Sequence, residues 1–252
     1  MIPQRKSCGA GRRRRTVPHE RRVGRQNGNY GVMMAEKVTI GNCELWHGDC
    51  SEVLPLLPRF DLILTDPPYG IGEAAGKNKS RSKIATAKDY GNDDWDSAPP
   101  PRWVIEMMRA KAEWHIFFGG NYYDLPPAKC WLVWDKDNGD SDFADCELAW
   151  TNLPKAVRLK KWRWAGMLQE NMARKEEREH PTQKPVPVME WAITQAPPNV
   201  MTICDPFMGS GTTGVACFRL GRQFVGIERE RKYFDIACER IENEQRQCRL
   251  AV

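Results

Sequence analysis

No apolar run in this 252-residue chain approaches the ~18–20 residues that span a bilayer. The charged N-terminus is not followed by the apolar stretch of a secretory signal. Histidine is scarce, with 4 residues, and the 9 cysteines are odd in number and scattered. They form no C-x-x-C pair and no Cys/His pairing at zinc spacing. These absences argue against a membrane protein, a disulfide scaffold and a metal module. Cys204, Cys217 and Cys238 fall in apolar patterns and read as buried thiols, which suits a reducing cytoplasm.

Basic charge is also lacking where it would matter. Nine Lys and Arg residues stand in residues 1–32 against Glu20 alone, more than the whole formal net charge of +5, so the rest of the chain is net acidic. A global basic-surface argument for nucleic-acid binding therefore fails. The Arg- and Gly-rich stretch 1–34 has little apolar periodicity and reads as a disordered tail. It is either a basic arm or an upstream extension of the reading frame, because Met33-Met34 directly precedes the first folded-looking segment.

What is present suits one α/β domain over 35–248. Val38 to Asp49 reads as a β-hairpin turning at Gly41-Asn42. Ser51 is the expected N-cap of a short helix through Leu57. Phe60 to Thr65 is a buried strand stopped by Asp66-Pro67-Pro68-Tyr69, since two prolines cannot continue a sheet ladder. That places a carboxylate, exposed carbonyls and an aromatic ring at the carboxyl end of a strand, where open α/β sheets bind ligands. Such a set suits a flat base with an exocyclic amine, though a packed tyrosine in a proline turn would look the same.

A long Gly/Ser/Lys-rich loop, 71–101, follows. Helices are expected at Arg102–Lys111 and Pro185–Gln195, and strands at Trp114–Phe118, Cys130–Trp134 and Cys146–Trp150. The last fifty residues or so form the clearest unit. Val200–Cys204 is a strand, Thr212–Leu220 a helix, Gln223–Ile227 a second strand ending in Glu228, and Lys232–Arg246 an amphipathic helix. The turn inside it, Gly209-Ser210-Gly211-Thr212-Thr213-Gly214, matches G-x-G-x-x-G, with Glu228 following 19 residues after Gly209. Glycines let a backbone approach an adenosine ligand, and a carboxylate at the next strand end accepts ribose hydroxyls. Alone, this unit fits NAD or FAD as well as any other adenosine cofactor.

Asp-Pro-Pro-Tyr, then His180-Pro181-Thr182-Gln183-Lys184-Pro185, then Asp205-Pro206-Phe207-Met208-Gly209-Ser210-Gly211-Thr212-Thr213 together resemble the DNA amino-methyltransferases. The motif order is similar to that of their β group, a circular permutation, and the resemblance covers about residues 35 to 246. It implies a Rossmann-like class I methyltransferase fold, with a mostly parallel sheet and helices on both faces. It implies transfer of a methyl group from S-adenosylmethionine to adenine N6 or cytosine N4 in double-stranded DNA. The aspartate at Asp66 is more usual for adenine enzymes.

The resemblance also implies roles at matching positions. Asp66, Pro67, Pro68 and Tyr69 would hold and stack the flipped base, with Asp66 also bordering the cofactor. Gly209, Ser210, Gly211, Thr212 and Thr213, with Asp205 and Phe207, would surround the methionine part of the cofactor. Glu228 would take the ribose, and Asp49 and Cys50 would lie near the adenine. His180, Thr182 and Lys184 would contact the methionine carboxylate, unless Thr182 and Pro185 merely cap a helix. No metal and no covalent nucleophile is required, and no Pro-Cys motif like that of carbon-5 cytosine enzymes is present. DNA phosphates would meet two local patches. One is Lys77, Lys79, Arg81 and Lys83; the other is Lys155, Arg158, Lys160, Lys161 and Arg163, in a short recognition segment, 152–180. A homodimer and a cognate restriction enzyme are further partners by analogy. A cytosine-N4 enzyme, a non-catalytic subunit and an NAD oxidoreductase remain the alternatives.

Overall fold

A computed structural model describes residues 35–71, 98–139, 144–165, 168–180 and 182–250. The tail 1–34 and nearly all of the 71–101 loop, with Lys77, Lys79, Arg81 and Lys83, lie outside the described residues. The chain opens with a hairpin, β1 (Glu36–Ile40) and β2 (Cys43–His47), turned at Gly41. A short helix α1 (Cys50–Val53) and a 3-10 turn lead to β3 (Phe60–Thr65). Helix α2 (Arg102–Ala110) connects to β4 (Ala112–Phe118), and β5 (Cys130–Asp135) and β6 (Cys146–Thr151) follow. Segment 152–180 contributes β7 (Arg158–Lys161) and a two-stranded ribbon, β8 (Trp164–Ala165) with β9 (Leu168–Gln169). Helix α3 (Val186–Gln195), β10 (Thr202–Asp205), α4 (Thr212–Arg219), β11 (Gln223–Glu228) and α5 (Arg231–Leu250) complete it.

The nine-stranded sheet has the order β1-β2-β11-β10-β3-β4-β6-β5-β7. Pairs from β2 to β4 are parallel, and β6 runs antiparallel between β4 and β5. The period of two in each strand splits the core into two layers. Leu62, Leu64, Ile116 and Phe118 face α3, α4 and α5, whereas Ile63 and Phe117 face α1 and α2. Parallel strands covered on both faces read as continuous apolar runs, as β3 does.

From β10 the chain crosses over α4 to β11 on one side, and from β3 over α2 to β4 on the other. The strand order therefore reverses between β10 and β3, and a crevice opens at their carboxyl ends. The glycine-turn strand comes late in the chain yet sits at the centre of the sheet, as a permuted order requires.

Two expectations are corrected. The cap of α1 is Asp49, not Ser51: Asp49 has extended backbone, and its Oδ1 accepts from the Ser51 amide at 2.8 Å and hydroxyl at 2.6 Å. Pro55 then tightens the chain into the 3-10 turn, so the helix ends before Leu57. Thr182 does not cap α3 either. Its N-cap is Pro185, with no side-chain cap bond, and the Thr182 hydroxyl pairs with His180 Nδ1 at 3.1 Å.

Candidate active site

The crevice widens into a cavity of about 490 Å³, with Asp66, Asp205, Gly209, Glu228 and His180 in its wall. Its floor is the turn after β10. The Asp205 carboxylate accepts from Thr213 Oγ1 at 2.5 Å, Thr65 Oγ1 at 2.7 Å and the Phe207 amide at 3.1 Å. Burial pushes Asp205 up to about 6, against those donors. The Thr65 bond ties β3 to β10 across the point where the strand order reverses. Gly211 starts α4 at φ +79, and a Cβ there would lie 2.8 Å from the Ala237 Cβ. Only glycine meets both demands.

Glu228 closes the cavity at the end of β11. Its two oxygens accept from the Gly209 amide at 2.9 Å and the Glu230 amide at 2.7 Å. Burial still raises it to about 7. Two backbone donors leave acceptor capacity on this carboxylate. On the far wall, burial brings His180 down to about 3, so its ring is neutral, packed edge-on to Tyr233 at 4.3 Å. Gln183 stitches this wall to the glycine turn by accepting from Ser210 Oγ at 3.2 Å. Arg240 Nη1 reaches over from α5 to Ser210 O at 2.7 Å and Thr212 Oγ1 at 3.1 Å.

The other half of the site is built differently. Asp66 Oδ1 accepts from the Tyr69 hydroxyl at 2.6 Å, and Oδ2 from Lys184 Nζ at 2.5 Å. The Pro67 carbonyl accepts from the Tyr123 hydroxyl at 2.7 Å. Tyr69 stacks on Tyr122 with centroids 4.9 Å apart and planes 15° apart. The Tyr69 ring lies directly against Gly119, at φ +66, where a Cβ would overlap it.

Lys184 lines the same cavity, where it is bound to Asp66 and lies 3.0 Å from Glu147. Asp49 Oδ1 is taken up by the α1 cap, with Cys50 beside it in the cavity wall. Phe207, Thr212 and Thr213 line the cavity, as do Pro68, Ser210 and Thr182. Of the second basic patch, Lys155 turns inward to the last-turn carbonyl of Gln195, where a helix end attracts cations. Lys161 and Arg163 both pair with Asp137, at 2.7 and 2.6 Å, while Arg158 stands exposed and Lys160 lies over Trp162.

Sequence reasoning missed Glu147, Lys136, Tyr122, Tyr123 and Arg240. The tyrosines follow Gly119-Gly120 at a strand's carboxyl end, a place that a search for aromatic faces would have reached. Glu147 is a charge inside an apolar strand, diagonal to Lys136 across the β5–β6 ladder, which is a cross-strand signal.

A sequence relative decides the family. The Type II methyltransferase M2.LlaDCHI of Lactococcus lactis subsp. cremoris is 45% identical over 79% of this chain and 89% of its own length. This chain belongs to the N6/N4 DNA amino-methyltransferase family. The N6/N4 family model, described as DNA methylase, matches residues 129–239. The Type II methyltransferase M2.DpnII of Streptococcus pneumoniae is 46% identical over 38% of this chain and 30% of that protein. Among solved structures, the M1.HpyAVI–SAM complex aligns with a TM-score of 0.50 at 25% identity, covering 79% of this chain and 98% of that one. The cytosine-N4-specific PvuII methyltransferase has a TM-score of 0.50 at 16% identity, covering 83% and 93%, and shares the fold.

The methyltransferase is therefore S-adenosylmethionine-dependent, acts on DNA and has the class I fold. Its residues fit that cofactor: a cavity of small-molecule size is walled by a half-buried carboxylate whose partners are backbone amides. Among the described residues, no group of three or more His, Cys, Asp or Glu could hold a metal ion. No helix among them is long and apolar enough to cross a membrane.

Proposed function

We propose that this methyltransferase modifies the N6 amino group of an adenine flipped out of double-stranded DNA at a specific site. The observation that carries the amine reading is the pair of acceptors beside the cofactor cavity; the choice of adenine rests on the aspartate at Asp66, which is more usual for adenine enzymes. Asp66 Oδ1 and the Pro67 carbonyl each hold a hydroxyl proton, at 2.6 and 2.7 Å. Both are aimed at donors, and the two N–H groups of an exocyclic amine replace the two hydroxyls.

When bound, S-adenosylmethionine supplies an electrophilic methyl on a positively charged sulfur. Glu228 would receive the ribose hydroxyls, and the 209–213 turn with Asp205, Phe207, His180 and Thr182, which line the same cavity, would surround the methionine part. Asp49 and Cys50 border the adenine end. An exocyclic amine is a poor nucleophile, because its lone pair is delocalised into the ring. Accepting both N–H bonds turns that lone pair toward the methyl. The new N–C bond forms as the methyl leaves sulfur, and the amine's surplus proton departs along the bond to Asp66. Positioning is the main catalytic contribution. The target must leave the duplex to reach these acceptors. Arg158 and Lys160, on the exposed edge strand β7, are the remaining local phosphate contacts in this proposal. Its Type II relatives make pairing with a restriction enzyme part of the same proposal.

Nucleoside analysis of DNA from a methylation-free host expressing the chain tests the reading. N6-methyladenine is expected. N4-methylcytosine in its place would assign the cytosine reaction.

A further inference from the structure

Behind Asp66 runs a half-buried row of alternating charge, with Lys184 buried within it. Lys136 Nζ lies 2.6 Å from Glu147 Oε1, Glu147 Oε2 lies 3.0 Å from Lys184 Nζ, and Lys184 Nζ lies 2.5 Å from Asp66 Oδ2. Lys184 is 5% exposed, between the rings of Phe118 and Tyr69 at 5.4 and 5.5 Å. Buried ion pairs are a poor way to stabilise a fold, since desolvation offsets much of the attraction. An ammonium has three protons. Lys184 Nζ donates to Asp66 and, at 3.3 Å, to the Tyr69 hydroxyl, with Glu147 beside it as an ion-pair partner at 3.0 Å.

We propose that Lys184, held by Glu147 and through it by Lys136, is a positioning residue: it fixes the Asp66 carboxylate as an anion with Oδ1 turned to the target amine. The inference rests on the reading of Asp66 as the amine acceptor. It divides the carboxylate into two halves. Oδ2 stays with Lys184 throughout, and Oδ1 exchanges the Tyr69 hydroxyl for the amine.

The groups facing Asp66 are Lys184 from the segment before α3, Glu147 from β6, Asp205 from β10 and Tyr69 from its own turn. Burial raises the Asp66 carboxyl, Lys184 opposes the rise, and Glu147 adds to it. Glu147 itself is brought down to about 2, because Lys184 and Lys136 together overcome its burial. Without Lys184, the burial of Asp66 is opposed only by the Tyr69 hydroxyl, and the carboxyl protonates at a higher pH.

The test uses the full chain with Lys184→Met, Glu147→Gln and Asp66→Asn. Single-turnover methylation of a DNA duplex is followed across pH, with affinity for S-adenosylhomocysteine and for methylthioadenosine, which lacks the carboxylate. For Lys184→Met the expected result is a roughly 100-fold slower transfer, an acid limb moved to higher pH, and S-adenosylhomocysteine affinity within about threefold. Glu147→Gln is expected to slow transfer about tenfold without that upward move, because Lys184 then faces Asp66 alone. A Lys184→Met rate within about twofold of wild type overturns the inference. So does a selective loss of S-adenosylhomocysteine affinity with methylthioadenosine unaffected, which would return Lys184 to the cofactor carboxylate. If Lys184→Met does not fold, an unchanged Glu147→Gln rate overturns it. Full activity in Asp66→Asn sinks the underlying reading instead, whereas an inactive Asp66→Asn beside a normal Lys184→Met sinks this inference alone.

Discussion

The two halves of the site are held by different kinds of force. Around the cofactor cavity many of the fixed groups are backbone: the Gly209 and Glu230 amides on Glu228, the Phe207 amide beside two threonine hydroxyls on Asp205, and Gly211 wedged against Ala237. Around Asp66 they are side chains: Tyr69 from the same turn, and Tyr123 and Lys184 from distant elements, with the two tyrosine hydroxyls on the acceptors that the proposed amine would use. Backbone donors cannot move without unmaking the turn, whereas a tyrosine hydroxyl moves by a rotamer change. In the proposed reading, the cofactor half is thus preorganised to receive its ligand, and the target half, closed on itself, exchanges partners.

The largest effect expected from this contrast is at Asp66. Replacing it by alanine should slow methyl transfer by about 10²–10³-fold, the scale set by losing one well-placed polar group. Cofactor affinity, measured by calorimetry, should fall far less, because Asp66 borders the cavity while Glu228 is the proposed ribose acceptor. Parallel loss of both would erase the distinction between halves.

Next comes Gly211→Ala. Forcing a side chain to φ +79 costs about 1–2 kcal/mol, and the overlap with Ala237 adds about 1–3 kcal/mol. Urea unfolding should show a loss of roughly 2–5 kcal/mol. A neutral result would mean the turn is softer than its backbone bonding suggests.

Glu228 offers a smaller, pH-dependent effect. Its folded carboxyl is raised to about 7 from an ordinary 4.5, so proton binding favours the folded state. That contribution is complete below about 4.5 and is lost as pH rises through about 7. Ribose hydroxyls need the ionised form as acceptor. Cofactor binding should therefore weaken as pH falls through about 7, by up to about tenfold per pH unit below it. Asp205, at about 6, also protonates in that range. Glu228→Gln separates them: the slope beginning near 7 should vanish and any slope near 6 persist.

The same contrast explains what the sequence revealed. The unit β10-α4-β11 was legible because everything in it is local: strand, glycine turn, helix, and an acid 19 residues on. The Gly41-Asn42 hairpin was legible for the same reason. The Asp49-Cys50-Ser51 stretch misled even locally, since two cap-formers stand two residues apart and only the backbone angles choose between them. The target half was not legible beyond Asp66 and Tyr69. Lys184 reaches Asp66 across 118 residues, and Tyr123 reaches Pro67 across 56. No periodicity encodes such pairings. They arise when β3, β4 and β6 are set side by side.

The smallest effect, and the sharpest on the exchange of partners, is expected at Tyr123. Its hydroxyl donates to the Pro67 carbonyl at 2.7 Å and reaches the Pro68 carbonyl at 3.2 Å. Tyr123→Phe keeps the ring that packs near Tyr69, at 6.4 Å between centroids, and removes only the competing donor. An incoming amine then meets an open acceptor. The net worth of one such bond is about 0.5–1.5 kcal/mol, so KM for DNA should fall by roughly two- to tenfold with kcat unchanged. The folded state loses a similar amount of stability, readable as a small drop in Tm. A fall in kcat with KM unchanged would show instead that the hydroxyl orders the Pro67-Pro68 turn during transfer, and that the target half is as preorganised as the cofactor half.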